Sequence, residues 1–143
     1  MRVYTRCMTD ASDLPCVCVA VRKASRRITT LYDAAVAPAG ITLAQFSLLK
    51  NIRRHGPVSL TRLSDIVELD RSTLGRNVRV LERLGLVQLE TGADQREARV
   101  QLSDDGEAAL DRAMPLWRAA QTRINDKLGP GRAAELTALL SAL

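Results

Sequence analysis

The sequence predicts a mainly α-helical fold with one small β-hairpin, and three observations lead to this fold class. Alanine and leucine are abundant, whereas aromatic residues make up only 3% of the 143 residues, a balance that favours helices over sandwiches or barrels. Apolar residues recur at helical spacing along most of the chain. Two short segments between residues 86 and 102 instead show the patterns of strands. This length is typical of one domain.

The helical pattern occurs in six segments that are separated by glycine, proline or capping residues. Their predicted bounds are residues 15–37, 42–55, 59–68, 70–84, 103–128 and a final segment after residue 131. Three segments begin at a residue whose side chain can cap a first helical turn, namely Thr42, Ser59 and Asp70. These boundaries predict helices joined by short connections.

The two strand-like segments are Leu86–Glu90 and Ala98–Leu102, and a polar stretch with Gly92 lies between them. This arrangement predicts a two-stranded hairpin with a mobile tip. A short helix, a turn, a second helix and then a hairpin together form a winged helix-turn-helix.

The chain carries few residues suited to catalysis or to metal binding. His55 is its only histidine, which argues against a histidine-rich zinc site and a Ser-His-Asp hydrolase. It has no glycine-rich phosphate-binding loop, and its three cysteines all lie within the first 18 residues and form no disulfide framework. We therefore expect no enzyme, no cofactor and no metal.

Hydropathy predicts a cytoplasmic protein without a membrane segment. No apolar run approaches the roughly 20 residues that span a bilayer. The first residues also lack the apolar core of a secretory signal.

The net charge of +5 and the sequence pI of about 9.6 suit an anionic partner, but the distribution of charge does not locate its site. Residues 59–102 carry seven positive and seven negative charges, and residues 103–143 carry five and six. Any nucleic-acid contact therefore depends on where individual arginines point.

The helix predicted over residues 70–84 has two distinct sides. Its apolar side carries Leu74, Val78 and Leu81, and the opposite side carries Ser72, Arg76, Arg79 and Arg83. Arginine pairs bidentately with guanine in the major groove, and small hydroxyls reach phosphates or base edges. Gly75 costs this helix about 1 kcal/mol relative to alanine. Either a close approach to DNA or tight packing against a neighbouring helix explains that glycine.

These patterns predict a DNA-binding surface. We expect the second helix of the motif to read the major groove, Arg96 at the hairpin tip to enter the minor groove beside Asp94, and neighbouring polar residues to anchor phosphates. The alternative for the tip is a solvated loop with a weak surface ion pair. The predicted DNA-binding residues are Ser59, Arg62, Arg71, Ser72, Thr73, Arg76, Asn77, Arg79, Asp94 and Arg96.

Residues 42–102 resemble the MarR family of bacterial regulators. The similarity is strongest over Leu69–Val78 and Leu81–Val87, and Asp94–Arg99 resembles the wing signature of the family. It extends over nearly the whole chain from Cys16 to Leu143. The resemblance implies a homodimer that binds pseudo-palindromic double-stranded operator DNA, usually as a repressor released by a small ligand or by oxidation.

The flanking helices support a dimer independently of the resemblance. They carry apolar residues beyond what a winged helix of about 60 residues can cover: Trp117, Leu136, Leu139, Leu140 and Leu143. Pairing with a second chain would bury them, although a monomer that folds these helices back would do so too. We divide the chain into a flexible N-terminal tail (1–15), an N-terminal dimerisation helix (16–41), the winged helix-turn-helix DNA-binding domain (42–102) and C-terminal dimerisation helices (103–143).

Cys16 and Cys18 suggest a redox switch. The segment from Cys18 to Arg26 resembles that around the reactive cysteine of the hydroperoxide-sensing branch of the family. However, Leu43 and Phe46 stand where that branch has tyrosines, and the two cysteines lie about 200° apart around a helix, poorly placed for a disulfide. The structural alternative is that each cysteine is a small buried hydrophobe.

A small aromatic effector is the alternative switch. The resemblance implies a pocket between the first, second and fifth helices. The predicted lining residues are Tyr32, Phe46, His55, Met114 and Trp117, although such residues are more often ordinary core, and a histidine before Gly-Pro is more often a surface or capping residue. An alternative interpretation of the function of the whole chain is a winged-helix protein-interaction module without sequence-specific DNA binding. In that module the exposed arginines face an acidic protein surface.

Overall fold

The computed structural model describes residues 16–91 and 98–143. Within these ranges the chain forms six α-helices and three short strands, with a single 3-10 turn at Ala37–Ala39. In chain order they are α1 (Val17–Val36), α2 (Leu43–His55), β1 (Val58–Ser59), α3 (Leu60–Val67), α4 (Arg71–Arg83), β2 (Val87–Glu90), β3 (Arg99–Leu102), α5 (Asp104–Leu128) and α6 (Arg132–Ser141). The predicted fold class, mainly α with a small antiparallel sheet, is confirmed.

Local hydrogen bonds determine where the central helices begin. The Thr42 side chain and Gln45 form a reciprocal capping box at α2. Ser59 accepts a hydrogen bond from the backbone N–H of Arg62 at the start of α3, and Asp70 accepts one from Thr73 at the start of α4. The three predicted caps are therefore confirmed.

The sheet has one strand more than the predicted hairpin. Its order is β1-β3-β2, and all neighbours are antiparallel. Val100 of the central strand pairs with Val58 on one side and Leu89 on the other, and its side chain is fully buried. A two-residue strand is too short to show an alternating pattern, so the periodicity of the sequence does not predict β1.

One apolar core lies between α2, α3, α4, the sheet and the N-terminal half of α5. Its largest fully buried side chains include Phe46, Leu49, Ile52, Leu63 and Leu110. Among the described residues, no helix is long and apolar enough to cross a membrane.

Apolar surface remains uncovered at the two ends of the chain. Val17 on α1 is 67% exposed, Leu139 on α6 is 64% exposed and Leu143 is 93% exposed, and none of the residues of α6 is buried. Trp117 differs from the prediction, because its ring stacks on Phe46 at 5.6 Å between centroids and is half-buried within the single chain. At the two ends of the chain, the exposed apolar surface therefore belongs to α1 and to the segment from α6 to Leu143, not to Trp117, while Leu69 and Leu84 are exposed in the helix-turn-helix.

Candidate nucleic-acid interface

Helix α4 is anchored through its apolar side and presents its polar side to solvent. Leu74 and Val78 are fully buried and Leu81 nearly so, which fixes the rotation of the helix on the core. Ser72, Arg76 and Arg79 are exposed on the opposite side, as the helical wheel predicted. We call these three residues the α4 ridge.

The arginines of α4 are free to face an anion. Arg71, Arg76, Arg79 and Arg83 are all exposed. Among residues 16–91 and 98–143, the ion pairs involve Arg53, whose Nη1 lies 2.7 Å from Asp111 and 3.5 Å from Glu107. No described carboxylate therefore neutralises the α4 arginines. Sequence reasoning placed Arg83 on this side of the helix but did not include it in the predicted site.

A carboxylate sits at the N-terminal end of the ridge. Asp70 accepts hydrogen bonds from the Ser72 hydroxyl at 2.6 Å, the Thr73 hydroxyl at 2.6 Å and the Thr73 backbone N–H at 2.9 Å. Arg76 in turn donates to the Thr73 hydroxyl at 3.3 Å. These bonds, chiefly those from the Ser72 and Thr73 side chains, hold the pKa of the Asp70 carboxyl well below its usual range. The group is therefore ionised at neutral pH.

Gly75 has open space around it. A Cβ built at this position would meet no atom of residues 16–91 and 98–143 within 4 Å, apart from the backbone of its own helix. Packing against a neighbouring helix of the same chain, one of the two explanations for this glycine, is therefore wrong.

The remaining predicted DNA contacts are dispersed around the motif. Arg62 is exposed and Ser59 is half-buried. Asn77 is exposed but lies about 140° around the helix from Ser72. There it lines a cleft of about 170 Å³ between α2 and α4. Asp94 and Arg96 lie outside the described residues. Asn77 thus lies off the ridge, on the side of α4 that faces α2.

Four of the five residues predicted to hold an effector lie near one another where α1, α2 and α5 meet. The ring of Trp117 stacks with the rings of Phe46, at 5.6 Å between centroids, and Tyr32, at 6.4 Å, and we call these three the aromatic cluster. The Lys50 ammonium lies 4.4 Å from the Trp117 ring centroid. Met114 packs against the adjoining core.

Tyr32 and Phe46 are buried as core residues. The Tyr32 hydroxyl donates a hydrogen bond to Gln121, and burial raises the pKa of Tyr32. His55 does not join the cluster, because it is exposed at the last position of α2, about 13 Å along the helix axis from Phe46.

Cys16 and Cys18 are free and exposed. Cys16 occupies the N-cap position of α1 without a side-chain capping bond, and Cys18 follows in the first turn. Within the single chain, neither thiol is therefore buried as a small hydrophobe.

Comparison with known sequences gives one family. A sequence model of the MarR family matches residues 39–97. The HTH-type transcriptional repressor NicR of Pseudomonas putida is 31% identical over 121 residues, which are 84% of this chain and 77% of NicR.

Solved structures of similar architecture include DNA complexes. The M. tuberculosis transcriptional regulator MosR in complex with DNA is 36% identical, with a TM-score of 0.78 over 90% of this chain and 96% of MosR. The transcriptional repressor CouR bound to a 23-mer DNA duplex is 26% identical, with a TM-score of 0.82 over 94% of this chain and 95% of CouR.

Proposed function

Since the chain belongs to the MarR family of winged-helix transcriptional regulators, we propose that it represses transcription by binding a pseudo-palindromic operator as a homodimer. Its assignment as a regulator and not an enzyme follows from the family and from the relatives. The observation that carries the finer proposal is the α4 ridge. Its side chains are exposed, no described carboxylate pairs with its two arginines, and the opposite side of the helix is buried in the core.

In this proposal α4 lies in the major groove. Arg76 and Arg79 face base edges, where an arginine pairs with the O6 and N7 atoms of guanine. Arg62, Arg71 and Ser59 lie at the flanks of the helix-turn-helix and contact phosphates, and Asn77 contacts the edge of the same groove. Arg96, positioned by Asp94, enters the adjacent minor groove, whose negative potential deepens over A·T tracts. MosR and CouR, which share this architecture, are themselves bound to DNA in their structures.

A homodimer supplies the second recognition helix. The exposed apolar side chains of α1 and α6 are costly to leave in water, at roughly 25 cal/mol per Å². Burying them against the same surfaces of a second copy gives a twofold interface. Two copies of α4 then read half-sites about 34 Å apart on one face of the duplex, which accounts for a pseudo-palindromic operator.

The test combines sequence selection with a salt titration. The full chain is used to select bound duplexes from a random DNA pool, its mass in solution is measured by light scattering, and the affinity for the selected site is followed from low to high salt. We expect a dimer, an inverted-repeat sequence and a steep loss of affinity with salt, because each neutralised phosphate releases counterions. A monomer, or binding that ignores both sequence and salt, would support the protein-interaction alternative instead.

The aromatic cluster supports release by a small aromatic ligand. A ligand with a carboxylate could stack on Trp117 and meet the Lys50 ammonium, but it would have to separate rings that are now in contact. Trp117 is the only tryptophan, so its fluorescence reports this separation directly. Titration of aromatic acids should change the emission and lower operator affinity at the same concentration. A change in affinity without a change in emission would place the ligand elsewhere.

Oxidation is the second candidate release signal, and the exposure of Cys18 supports it. Peroxide should lower operator affinity of the native chain and leave the Cys18→Ser variant unaffected. The Cys16→Ser variant is the matched control, since it removes a second exposed thiol two residues away. Equal sensitivity of native chain and Cys18→Ser would rule out this thiol as the sensor.

A further inference from the structure

The hydrogen bonds around Asp70 have a direction that matters for DNA recognition. Its two carboxylate oxygens together accept from the hydroxyls of Ser72 and Thr73 and from the backbone N–H of Thr73. An ionised carboxylate only accepts hydrogen bonds, so both hydroxyls must be the donors.

Each hydroxyl has a single hydrogen, and Asp70 takes both of them. The Thr73 oxygen also accepts from the Arg76 guanidinium at 3.3 Å. What Ser72 and Thr73 can still offer to a partner is lone pairs on oxygen. Phosphate oxygens are themselves acceptors only, so neither hydroxyl can bind a phosphate while its bond to Asp70 persists.

In the major groove, adenine and cytosine present amino donors, whereas guanine and thymine present acceptors. We propose that Asp70 is a specificity-determining positioning residue. By turning Ser72 and Thr73 into hydrogen-bond acceptors, it makes these positions select adenine or cytosine over guanine or thymine at the bases they face. This inference rests on the proposed function, since it requires α4 to lie in the major groove.

The same helix then presents acceptors followed by donors. Along the helix axis, the Ser72 and Thr73 positions lie about one turn, roughly 5 Å, before Arg76 and about two turns, roughly 10 Å, before Arg79. Base pairs rise 3.4 Å per step. Each half-site should therefore contain an amino-bearing base about one or two steps from a guanine, with the guanine read by arginine.

The Asp70→Asn variant tests the direction of these bonds. Asparagine caps a helix about as well as aspartate, but its NH₂ group donates, so at least one hydroxyl hydrogen is released toward DNA. Sequence selection with the native chain and with Asp70→Asn should show a preference that shifts from adenine or cytosine toward guanine or thymine, by about tenfold at one or two positions per half-site. A capping role alone would weaken binding to all sequences equally.

Three further variants distinguish the orientation of the hydroxyl groups from a general effect of helix capping. Thr42→Asn changes the N-cap of α2 and should leave base preference unchanged. Ser72→Ala should lose discrimination at one base pair, and the double variant Asp70→Asn/Ser72→Ala should show no switch at that pair. If Asp70→Asn fails to fold, as judged by circular dichroism, Ser72→Ala decides the matter: loss of an adenine or cytosine preference supports the acceptor role of Ser72, and loss of a guanine or thymine preference overturns it.

The outcomes separate this inference from the proposed function. A native chain that selects no sequence would overturn both. A native chain that selects an operator, together with an Asp70→Asn variant of unchanged base preference, would overturn the role of Asp70 and leave operator binding intact.

Discussion

Two helical glycines of this chain differ in what surrounds them. At Gly106, in the first turn of α5, a Cβ would lie 1.9 Å from the carbonyl oxygen of Leu86, whereas at Gly75 in α4 it would meet nothing within 4 Å. In a helix interior, a glycine costs about 1 kcal/mol relative to alanine. The packing of the chain itself explains the first glycine. It does not explain the second, whereas a partner outside the chain that approaches Gly75 closely would.

The surroundings of Gly106 form a junction between the recognition helix and α5. The Leu86 backbone N–H donates to Leu81 of α4 at 2.9 Å, and the Leu86 carbonyl accepts from the Ser103 backbone N–H at 3.1 Å. The Ser103 hydroxyl donates to the Gly85 carbonyl and also caps α5. Close backbone contact therefore couples the end of α4 to the start of α5.

The largest expected effect is on stability at this junction. Gly106→Ala places a methyl group against backbone atoms that cannot rotate away, and we expect it to lower the free energy of unfolding by about 3 kcal/mol, the upper part of the range for overpacking. Urea unfolding followed by circular dichroism measures this. Unchanged stability would mean that the approach of α5 to Leu86 is looser than described, and the contrast with Gly75 would disappear.

The second-largest expected effect is on operator binding by the exposed side of α4. Arg76→Ala should weaken operator binding by about 1–3 kcal/mol and relax the base preference, as loss of a base contact does, with little change in stability because the side chain is exposed. Arg118→Ala removes the same charge from an exposed position on α5 and serves as the control. Equal losses in the two variants at matched salt would mean that only overall charge matters and that the α4 ridge is misassigned.

What the sequence predicted well depends on neighbours in the chain. Thr42, Ser59 and Asp70 were identified as caps because a cap and its partner lie three residues apart. The exposure of Arg76 followed from the period of the buried residue Leu74 and its apolar neighbours, because a helix with one apolar stripe has only one way to face the core.

What the sequence missed depends on contacts between distant segments. Strand β1 exists because Val58 pairs with Val100, and Trp117 is half-buried because it stacks on Phe46. The two hydrogen bonds that the Ser72 and Thr73 hydroxyls donate to Asp70 were missed for another reason. A cap motif does not reveal which way each hydroxyl hydrogen points. A capping aspartate with hydroxyl residues at the second and third positions after it, as in Asp70-Arg71-Ser72-Thr73, is the signal that could have found it.

The smallest expected effect is at Gly75. It is also the most discriminating, because the same substitution should increase stability and decrease operator affinity. Gly75→Ala should raise the free energy of unfolding by about 1 kcal/mol, since alanine favours the helix and the new methyl group meets no described atom within 4 Å outside its own helix backbone. The same methyl group should weaken operator binding about fivefold if the DNA backbone or a base edge approaches Gly75 closely. Ser47→Ala also improves an exposed helical position, in α2, and should stabilise the chain without affecting the operator. A Gly75→Ala variant that is more stable and binds DNA as tightly as the native chain would show that no partner occupies this space, and α4 would then need a different orientation in the groove.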